Sequence, residues 1–393
     1  MKHAPRIMVI AGEASGDAHA ARVVETIRRD LPAATFFGVG GPAMEAAGVE
    51  LAFSASELSL VGIVEVLSHY RHIKRRLAEM RQRLVDEQPD LLIVTDLPEF
   101  NLRLAATAQE QGVPVLYYIS PQIWAWRKGR LKTIARRVDA MAVVFPFEVP
   151  IYEEVGVPVR FVGHPLATDT PVDMSRGHAR RVLGLPQEPR IVGLFPGSRV
   201  SELQRLMPEL ADAASRLLAD DPTIRFLLPL ADGLDPALVE EPLATAGIEA
   251  TIVRGQFHAA TAACDAIASA SGTATLQIGL MGTPLTVIYR VSTLTWWIAR
   301  MLVNLDHVSL VNIVAEKPVV REFLQKEATG ANIADELWRL LFDTAYAERV
   351  RGELAELRAR LGEGDAPEAV AEWAVEIIAD NGRISAGSPD DSR

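Results

Sequence analysis

Short apolar runs alternate with amphipathic segments along almost the whole chain. Several runs are continuously apolar rather than alternating, which is typical of parallel strands buried on both faces. Strands that alternate with helices indicate βαβ units and a doubly wound α/β sheet. The predicted strands are Ile7–Ala11, Leu91–Thr95, Val115–Ile119, Ala140–Val144, Arg160–Val162, Ile191–Phe195, Phe226–Pro229, Thr251–Val253, Ala266–Ser269 and Leu285–Tyr289.

Two of these strands end in turns of small residues that lead into helical patterns. Gly12–Asp17 precedes the helix predicted at Ala18–Arg29, and Pro196–Arg199 precedes the helix predicted at Glu202–Leu218. A helix N-terminus after such a turn presents free backbone N–H groups and can bind an anion. Two such turns predict two Rossmann-like domains facing a cleft, one holding a nucleoside diphosphate and the other its reaction partner.

The domain boundary is predicted near Gly163–Leu166, where a polar stretch follows. This gives a first domain over 1–166 and a second over 167–378. Helices at Ile333–Ile378, broken at Gly362–Pro367, close the second domain. The last of them packs either on the first domain or on a second subunit of a homodimer, and the sequence leaves both open. The stretch 379–393, rich in Gly, Ser, Pro and Asp, is predicted to be a disordered tail.

Composition narrows the class of protein. The chain has 393 residues, 49% hydrophobic and 23% charged, which suits two globular domains. A net charge of −11 argues against a nucleic-acid partner. The single cysteine, Cys264, fits a cytoplasmic protein and is expected to be a small buried residue. No signal peptide is expected, and the apolar stretch Thr283–Val303 contains two arginines, so it is predicted to be buried or interfacial.

Asp96 stands in the stretch Thr95–Asn101, directly after a predicted buried strand. Ligands of open α/β sheets bind outside the carboxyl ends of the strands. A carboxyl group in an apolar setting there has a raised pKa, which suits a general base. The alternative is that Asp96 is the N-cap of a helix at Leu102–Glu110, and position alone does not decide.

The first turn is acidic, with Glu13, Ser15 and Asp17. Like charges repel a phosphate, so this turn is predicted to meet sugar hydroxyls or a polar acceptor rather than a diphosphate. The alternative is that Ser15 and Asp17 only cap a helix.

The second turn carries a guanidinium. Arg199 with the N–H groups of Gly197 and Ser198 forms a clamp for a diphosphate, or else Arg199 is a surface residue paired with Glu202. A third turn, Ser271-Gly272-Thr273, offers N–H and hydroxyl donors to phosphate, or is a tight packing corner. No Asp-x-Asp pair follows an apolar strand, so no carboxylate site for a divalent ion, and no metal cofactor, is predicted.

Two basic segments stand out in this acidic chain. Basic residues beside aliphatic and aromatic ones indicate contact with an anionic membrane surface, whereas the alternative is the solvated faces of ordinary helices. Ser68–Arg83 follows the apolar run Leu60–Leu67, and Gln122–Arg137 carries two tryptophans. The residues predicted to contact the membrane or acyl chains are Val61, Ile63, Val64, Val66, Leu67, Arg75, Arg76, Trp296 and Trp297.

Eight short motifs, in order along the chain, resemble those of the lipid-A-disaccharide synthases, a family of bacterial glycosyltransferases. The motifs are Ala11–Asp17, Gly38–Met44, Thr95–Asn101, Tyr118–Trp126, Val162–Leu166, Pro196–Arg199, Ala270–Thr273 and Ser309–Ile313. The resemblance implies the two-domain GT-B fold and an inverting, metal-free transfer without a cofactor. It implies UDP-2,3-diacylglucosamine as donor and 2,3-diacylglucosamine 1-phosphate (lipid X) as acceptor. The products would be the β-1,6 disaccharide 1-phosphate and UDP.

The resemblance also assigns residues and a location. Asp96 matches the favoured base, and Glu13, Ser15, Arg199 and Asn312 match positions linked to activity. Gln277 stands where the family often has a glutamate that holds the ribose of UDP, so this contact departs from the pattern. The enzyme would lie on the inner face of the cytoplasmic membrane.

Two other classes of protein stay open at this point. One is another GT-B enzyme that acts on a UDP-sugar, such as a peptidoglycan N-acetylglucosaminyl transferase or a UDP-N-acetylglucosamine 2-epimerase. The other is a non-catalytic module that binds a nucleotide at a membrane surface.

Overall fold

The computed structural model describes residues 4–58, 66–121, 128–171, 173–292, 307–362 and 364–384. The strands are β1 (Arg6–Ile10), β2 (Thr35–Gly40), β3 (Glu50–Ser54), β4 (Leu91–Thr95), β5 (Val115–Tyr118), β6 (Ala140–Val143), β7 (Val159–Phe161), β8 (Ile191–Phe195), β9 (Arg225–Pro229), β10 (Ala250–Val253), β11 (Ala266–Ala270), β12 (Leu285–Tyr289) and β13 (Glu322–Leu324).

Helices connect most of these strands. They are α1 (Ala14–Asp30), α2 (Pro42–Ala46), α3 (Val66–Glu87), α4 (Pro98–Glu110), α5 (Leu131–Ile134), α6 (Val149–Glu153), α7 (Pro165–Asp169), α8 (Arg176–Val182), α9 (Val200–Asp220), α10 (Ala237–Thr245), α11 (Phe257–Ala263), α12 (Thr273–Leu280), α13 (Leu310–Ala315), α14 (Gly330–Phe342), α15 (Thr344–Leu361) and α16 (Ala366–Ile384). Single 3₁₀ turns cover Ala55–Leu58, Lys128–Arg130, Pro146–Glu148 and Gln325–Glu327.

The chain forms two compact units. Unit 1 consists of Met1–Pro165 and Gly364–Arg393, and unit 2 of Leu166–Glu363. Helix α16 therefore belongs to unit 1, where it packs against α1. It ends at Ile384, inside the stretch predicted to be disordered. The prediction of disorder is therefore wrong for residues 379–384, and residues 385–393 lie outside the described part of the chain.

Unit 1 is built on a seven-stranded parallel sheet in the order β3-β2-β1-β4-β5-β6-β7. The order reverses between β1 and β4, so the turns after these two strands open onto a crevice at the carboxyl edge. Helix α1 buries Ala20, Val23, Val24 and Ile27, at the spacing of one helical face. The turn Gly12–Asp17 and Asp96 thus lie beside one another at a topological switch point.

Unit 2 repeats this arrangement with a six-stranded parallel sheet, β10-β9-β8-β11-β12-β13. Its order reverses between β8 and β11, and every residue of both strands is buried. The turn at Pro196–Arg199 follows β8, and the turn at Ser271–Thr273 follows β11. The second and third predicted anion turns therefore share the switch point of unit 2.

Each strand predicted from the apolar runs is confirmed to within a residue at its ends, but β2, β3 and β13 were missed. Strands β3 and β13 lie at the edges of their sheets, and each has only one buried residue, Phe53 and Phe323 respectively. Strand β2 contains Gly38, at which the register with β3 shifts. A Cβ there would lie 1.9 Å from the carbonyl oxygen of Val9, so glycine is required where two backbones approach closely.

Among the described residues, no helix has both the length and the apolar content needed to cross a membrane. The stretch Thr283–Val303 contains β12 and continues beyond the described part of the chain at 293.

Candidate active site

Asp96 follows β4 in a backbone conformation that few side chains adopt. Its φ is +48°, and that of the next residue, Leu97, is +34°. Left-handed backbone at a residue other than glycine costs about 1–3 kcal/mol, so the surrounding structure must hold it. The Asp96 carbonyl accepts hydrogen bonds from Asn101 Nδ2 (2.6 Å) and Tyr117 Oη (2.8 Å), which hold the turn in place.

The Asp96 carboxylate lies on the backbone of the first turn. Oδ1 accepts from the Gly12 N–H (2.8 Å) and Oδ2 from the Glu13 N–H (3.0 Å). A Cβ on Gly16 would come within 2.0 Å of Oδ2, so only glycine lets α1 approach this closely. Helix α4 begins at Pro98 with Leu97 as its N-cap and without a side-chain cap, so the capping alternative for Asp96 is wrong.

Burial raises the pKa of Asp96 to about 7. The two N–H donors oppose this shift, while the negative charges of Glu13 and Asp17 add to it. A carboxyl group with a pKa near neutrality takes a proton from a hydroxyl far more readily than an ordinary aspartate does. This side chain therefore has the geometry and the proton affinity of a general base.

The other residues of the first turn divide into two roles. Glu13 and Ser15 are exposed and available to a ligand. Asp17 is buried, and its carboxylate accepts from the N–H groups of Gly41 (2.7 Å), Ala43 (2.9 Å) and Met44 (3.1 Å). The alternative that Asp17 only caps a helix is right in kind, but the helix it caps is α2 and not its own, because the fold brings the α2 N-terminus to it.

In unit 2, the turn after β8 is occupied by a carboxylate of the protein itself. Glu202 Oε2 accepts from the N–H groups of Ser198 (3.0 Å) and Arg199 (3.2 Å). Gly197 has a φ of +103°, and a Cβ there would lie 2.2 Å from the same oxygen. The turn is thus an anion site, filled by Glu202 from the first turn of α9.

Arg199 itself is 80% exposed, and its Nη1 lies 3.7 Å from Glu202 Oε1. An ion pair this long and this exposed contributes little to stability. Tyr289, at the end of β12, lies close enough to feel both charges: burial raises the pKa of its hydroxyl, Glu202 raises it further and Arg199 lowers it. The guanidinium is therefore free to turn toward an anionic ligand at the carboxyl edge of this sheet.

The third turn opens α12. Gly272 and Thr273 are exposed, and a Cβ on Gly272 would meet nothing within 4 Å, so close packing does not require this glycine. Ser271 Oγ donates to the carbonyl of Val308 at 3.4 Å. The turn faces open space rather than a packing corner, which suits donors directed at a ligand.

Gln277 and Asn312 differ in how available they are. Gln277 is half-buried on α12, with its Nε2 3.5 Å from Nε2 of His258. Asn312 is buried, with Nδ2 donating to the Val320 carbonyl and to Glu322, both at 2.8 Å, and Oδ1 accepting from the Val320 N–H. The amide of Asn312 thus supports the segment around α13 rather than reaching a ligand directly.

The predicted membrane and acyl residues are only partly described. Val61, Ile63, Val64, Trp296 and Trp297 lie outside the described residues, and Val66 and Leu67 begin α3 without described side chains. Arg76 forms ion pairs with Glu57 and Glu79 and stacks on the Phe53 ring at 4.5 Å. Arg75 is exposed, as are Arg71 and Lys74. Within the described part of the chain, no carboxylate lies within ion-pair distance of these three side chains.

Comparison with known proteins decides the family. Residues 7–374 match the lipid-A-disaccharide synthetase family. The lipid-A-disaccharide synthase of Geobacter metallireducens is 48% identical over 373 residues, which cover 95% of this chain and 97% of that protein. The one from Nitrosococcus oceani is 44% identical over 375 residues, with 95% and 97% covered. The chain belongs to the lipid-A-disaccharide synthetase family.

It is accordingly a glycosyltransferase that forms the lipid A disaccharide, and the two other classes left open by the sequence are set aside. Solved structures agree in fold. A UDP-GlcNAc 2-epimerase from Neisseria meningitidis, bound to UDP-GlcNAc, has a TM-score of 0.61 at 12% identity, over 94% of this chain and 100% of that one. A UGT transferase from Siraitia grosvenorii in complex with UDP has a TM-score of 0.60 at 13% identity, over 96% and 100%. The fold class is GT-B, as predicted.

Three residues of these sites were not found from the sequence. Tyr117 supports the Asp96 turn, Glu202 fills the second turn, and His258 contacts Gln277. Glu202 was considered only as a partner of Arg199. No sequence motif marks Tyr117 or His258 as a site residue, because only strand pairing and helix packing bring them to the site.

Proposed function

We propose that the enzyme transfers the 2,3-diacylglucosamine group of UDP-2,3-diacylglucosamine to the 6-hydroxyl of 2,3-diacylglucosamine 1-phosphate (lipid X), with inversion at the anomeric carbon. The O6–C1 bond forms as the bond from C1 to the diphosphate oxygen breaks, and UDP leaves with the electron pair. The products are the β-1,6 disaccharide 1-phosphate and UDP. The observation that carries this proposal is the Asp96 carboxylate on the turn of Gly12 and Glu13, whose pKa is raised to about 7.

In this proposal Asp96 takes the proton of the acceptor hydroxyl as that oxygen attacks. A single displacement with inversion needs one base on the attacking side, and a pKa near neutrality makes the carboxylate effective there. Glu13 and Ser15, exposed beside it, bind hydroxyl groups of the acceptor sugar. The negative charge of Glu13 also helps to keep the pKa of Asp96 high.

Unit 2 supplies the site for UDP. Arg199 and the N–H groups of the Gly197–Arg199 turn bind the diphosphate, together with the donors of Ser271, Gly272 and Thr273. Gln277 accepts from the ribose, and Asn312 supports the neighbouring segment. A guanidinium and two helix N-termini neutralise the charge that develops on the departing diphosphate, so this proposal assigns the reaction no metal and no cofactor.

The experiment that tests the reaction supplies the two acylated precursors and detects the product by mass. Formation of the disaccharide 1-phosphate with release of UDP is the expected result. The same donor and acceptor without their acyl chains serve as the control, and equal transfer between them would contradict the proposed substrate class.

We further propose that the enzyme works at the inner surface of the cytoplasmic membrane, because both proposed substrates carry long acyl chains. The exposed cations Arg71, Lys74 and Arg75 form a stripe at helical spacing on α3. Each basic residue near an anionic surface contributes about 1 kcal/mol, an attraction that salt screens. The apolar residues of 61–67 and Trp296–Trp297 would add a contribution that salt does not weaken.

Vesicle sedimentation tests this location. Binding to anionic vesicles should exceed binding to neutral ones, fall with salt, and fall further in the double variant Lys74→Glu/Arg75→Glu. A matched control reverses two exposed arginines of unit 2, Arg181→Glu/Arg351→Glu, and changes the net charge equally. The same loss in both double variants would show that only net charge matters. Reversing Arg76 is avoided, since its contacts with Glu57 and Phe53 stabilise the fold.

A further inference from the structure

His258 contacts a residue of the proposed donor site but has no part in the mechanism above. It is the second residue of α11, and its Nε2 lies 3.5 Å from Nε2 of Gln277 on α12, at the long limit of a hydrogen bond. Its ring packs edge-on against Phe257 at 5.9 Å, and Phe257 packs edge-on against Phe195 at 5.6 Å. This chain of rings fixes where the imidazole of His258 can lie.

As the amide is placed, its nitrogen faces the ring, and one arrangement of protons then makes this contact a hydrogen bond. An amide nitrogen only donates, so Nε2 of His258 must offer its lone pair, and the imidazole carries its proton on Nδ1. Burial lowers the pKa of His258, which favours this neutral form at neutral pH. With its NH₂ group directed at His258, Gln277 turns its carbonyl oxygen Oε1 the other way.

The position of Gln277 shows what that oxygen can meet. Gln277 comes four residues after Thr273, so both lie on one face of α12. The distance along the axis is about 6 Å at 1.5 Å per residue. A nucleoside whose diphosphate binds at the Ser271–Thr273 turn brings its ribose to that level. Ribose hydroxyls donate hydrogen bonds, and a carbonyl oxygen held in a fixed direction accepts them.

We propose that His258 is a positioning residue for the ribose of the nucleotide: it holds the amide of Gln277 so that Oε1, and not the NH₂ group, faces the ribose hydroxyls. The inference rests on the proposed function, in which Gln277 borders UDP. A glutamate in place of Gln277 would need no such partner, because both of its oxygens accept. His258 and Gln277 together thus do the work of a single carboxylate.

Calorimetry with the full chain tests this, using UDP and 2′,3′-dideoxy-UDP as probes. His258→Ala should weaken UDP binding about five- to tenfold, the loss of roughly one hydrogen bond, and leave the dideoxy compound unaffected. His258→Phe keeps the ring packing without the lone pair and should behave in the same way. His178→Ala, an exposed histidine of unit 2, is the matched control and should change neither affinity.

The decisive arm is rescue. Gln277→Glu in the His258→Ala background should restore most of the UDP affinity, since a carboxylate presents an acceptor whichever way it turns. If rescue fails, or if UDP and its dideoxy analogue weaken equally in both His258 variants, His258 does not act through Gln277. Gln277→Ala and Arg199→Ala report separately on the donor site: UDP binding unaffected by both would overturn the proposed function itself.

Discussion

The switch points of the two units place a carboxylate on the same kind of backbone turn, but the two carboxylates come from different parts of the chain. In unit 1, Asp96 reaches the N–H groups of Gly12 and Glu13 from the end of the neighbouring strand. In unit 2, Glu202 reaches those of Ser198 and Arg199 from the first turn of the helix that the turn itself opens.

This difference separates two kinds of chemistry on one architecture. Asp96 lies in a left-handed turn and is largely buried. Burial raises its pKa to about 7, so the carboxyl group can exchange a proton near neutral pH. Glu202 lies beside Arg199, which is 80% exposed, and we expect a diphosphate to displace it from the turn. Both units thus have the same kind of backbone turn, and the position in the chain from which the carboxylate comes determines the role of that carboxylate.

The largest expected effect comes from removing the proton acceptor of unit 1. Asp96→Asn should lower turnover by about 10²–10⁴-fold, the usual range for loss of a general base, and leave UDP binding unchanged. Turnover is measured with both acylated substrates, and UDP affinity by calorimetry. Asp17→Asn is the control: it should lower stability by about 1–3 kcal/mol, because three N–H groups of α2 lose a charged acceptor, with a much smaller effect on turnover. Near-normal turnover in Asp96→Asn would remove Asp96 from the reaction.

The pH profile follows from the raised pKa of Asp96. The base acts only when deprotonated, so kcat/KM should be level above pH 7 and fall about tenfold per pH unit below it. That is about 100-fold at pH 5. An ordinary aspartate, with a pKa near 3.9, would keep its activity to about pH 4. A profile that stays flat down to pH 5 would show that burial does not control this carboxylate.

Removing the cation of unit 2 should have the next largest effect. Arg199→Ala should weaken UDP binding about 10- to 100-fold, the range expected for hydrogen bonds to a charged group. Its long, exposed contact with Glu202 contributes little to stability, so the melting temperature should move by less than about 2 °C. Calorimetry with UDP and a thermal melt measure the two quantities. A large drop in melting temperature with unchanged UDP affinity would make Arg199 structural.

The smallest expected effect has the opposite sign. Glu202→Gln should tighten UDP binding about two- to fivefold, because the variant removes a negative charge that competes with the diphosphate for the Ser198 and Arg199 N–H groups. The amide oxygen still accepts from the empty turn, so the fold is kept. Weaker UDP binding in this variant would mean that Glu202 supports the turn and does not compete for it, and the comparison between the two switch points would then fail.

Periodicity and composition determined the main features of the fold. Continuous apolar runs marked the buried strands, because a strand covered on both faces has no polar side, and their alternation with helices determined a parallel sheet. The turns after β1, β8 and β11 were visible as small residues before a helix. The motif around Asp96 placed a carboxyl group at a strand end, and family resemblance supplied the substrate class and Asn312.

Only the tertiary structure decided what each of these side chains touches. Whether Asp96 capped α4 or lay on the first turn depended on β1 and β4 being neighbours, which no local pattern shows. Its pKa depends on burial by residues far away in the chain. The same is true of three other contacts. Asp17 accepts hydrogen bonds from the N-terminus of α2, Asn312 bonds to Val320 and Glu322, and His258 contacts Gln277. Sequence periodicity predicts which face of a helix or strand is buried. Hydrogen-bond partners and pKa values depend instead on contacts between elements that only folding brings together.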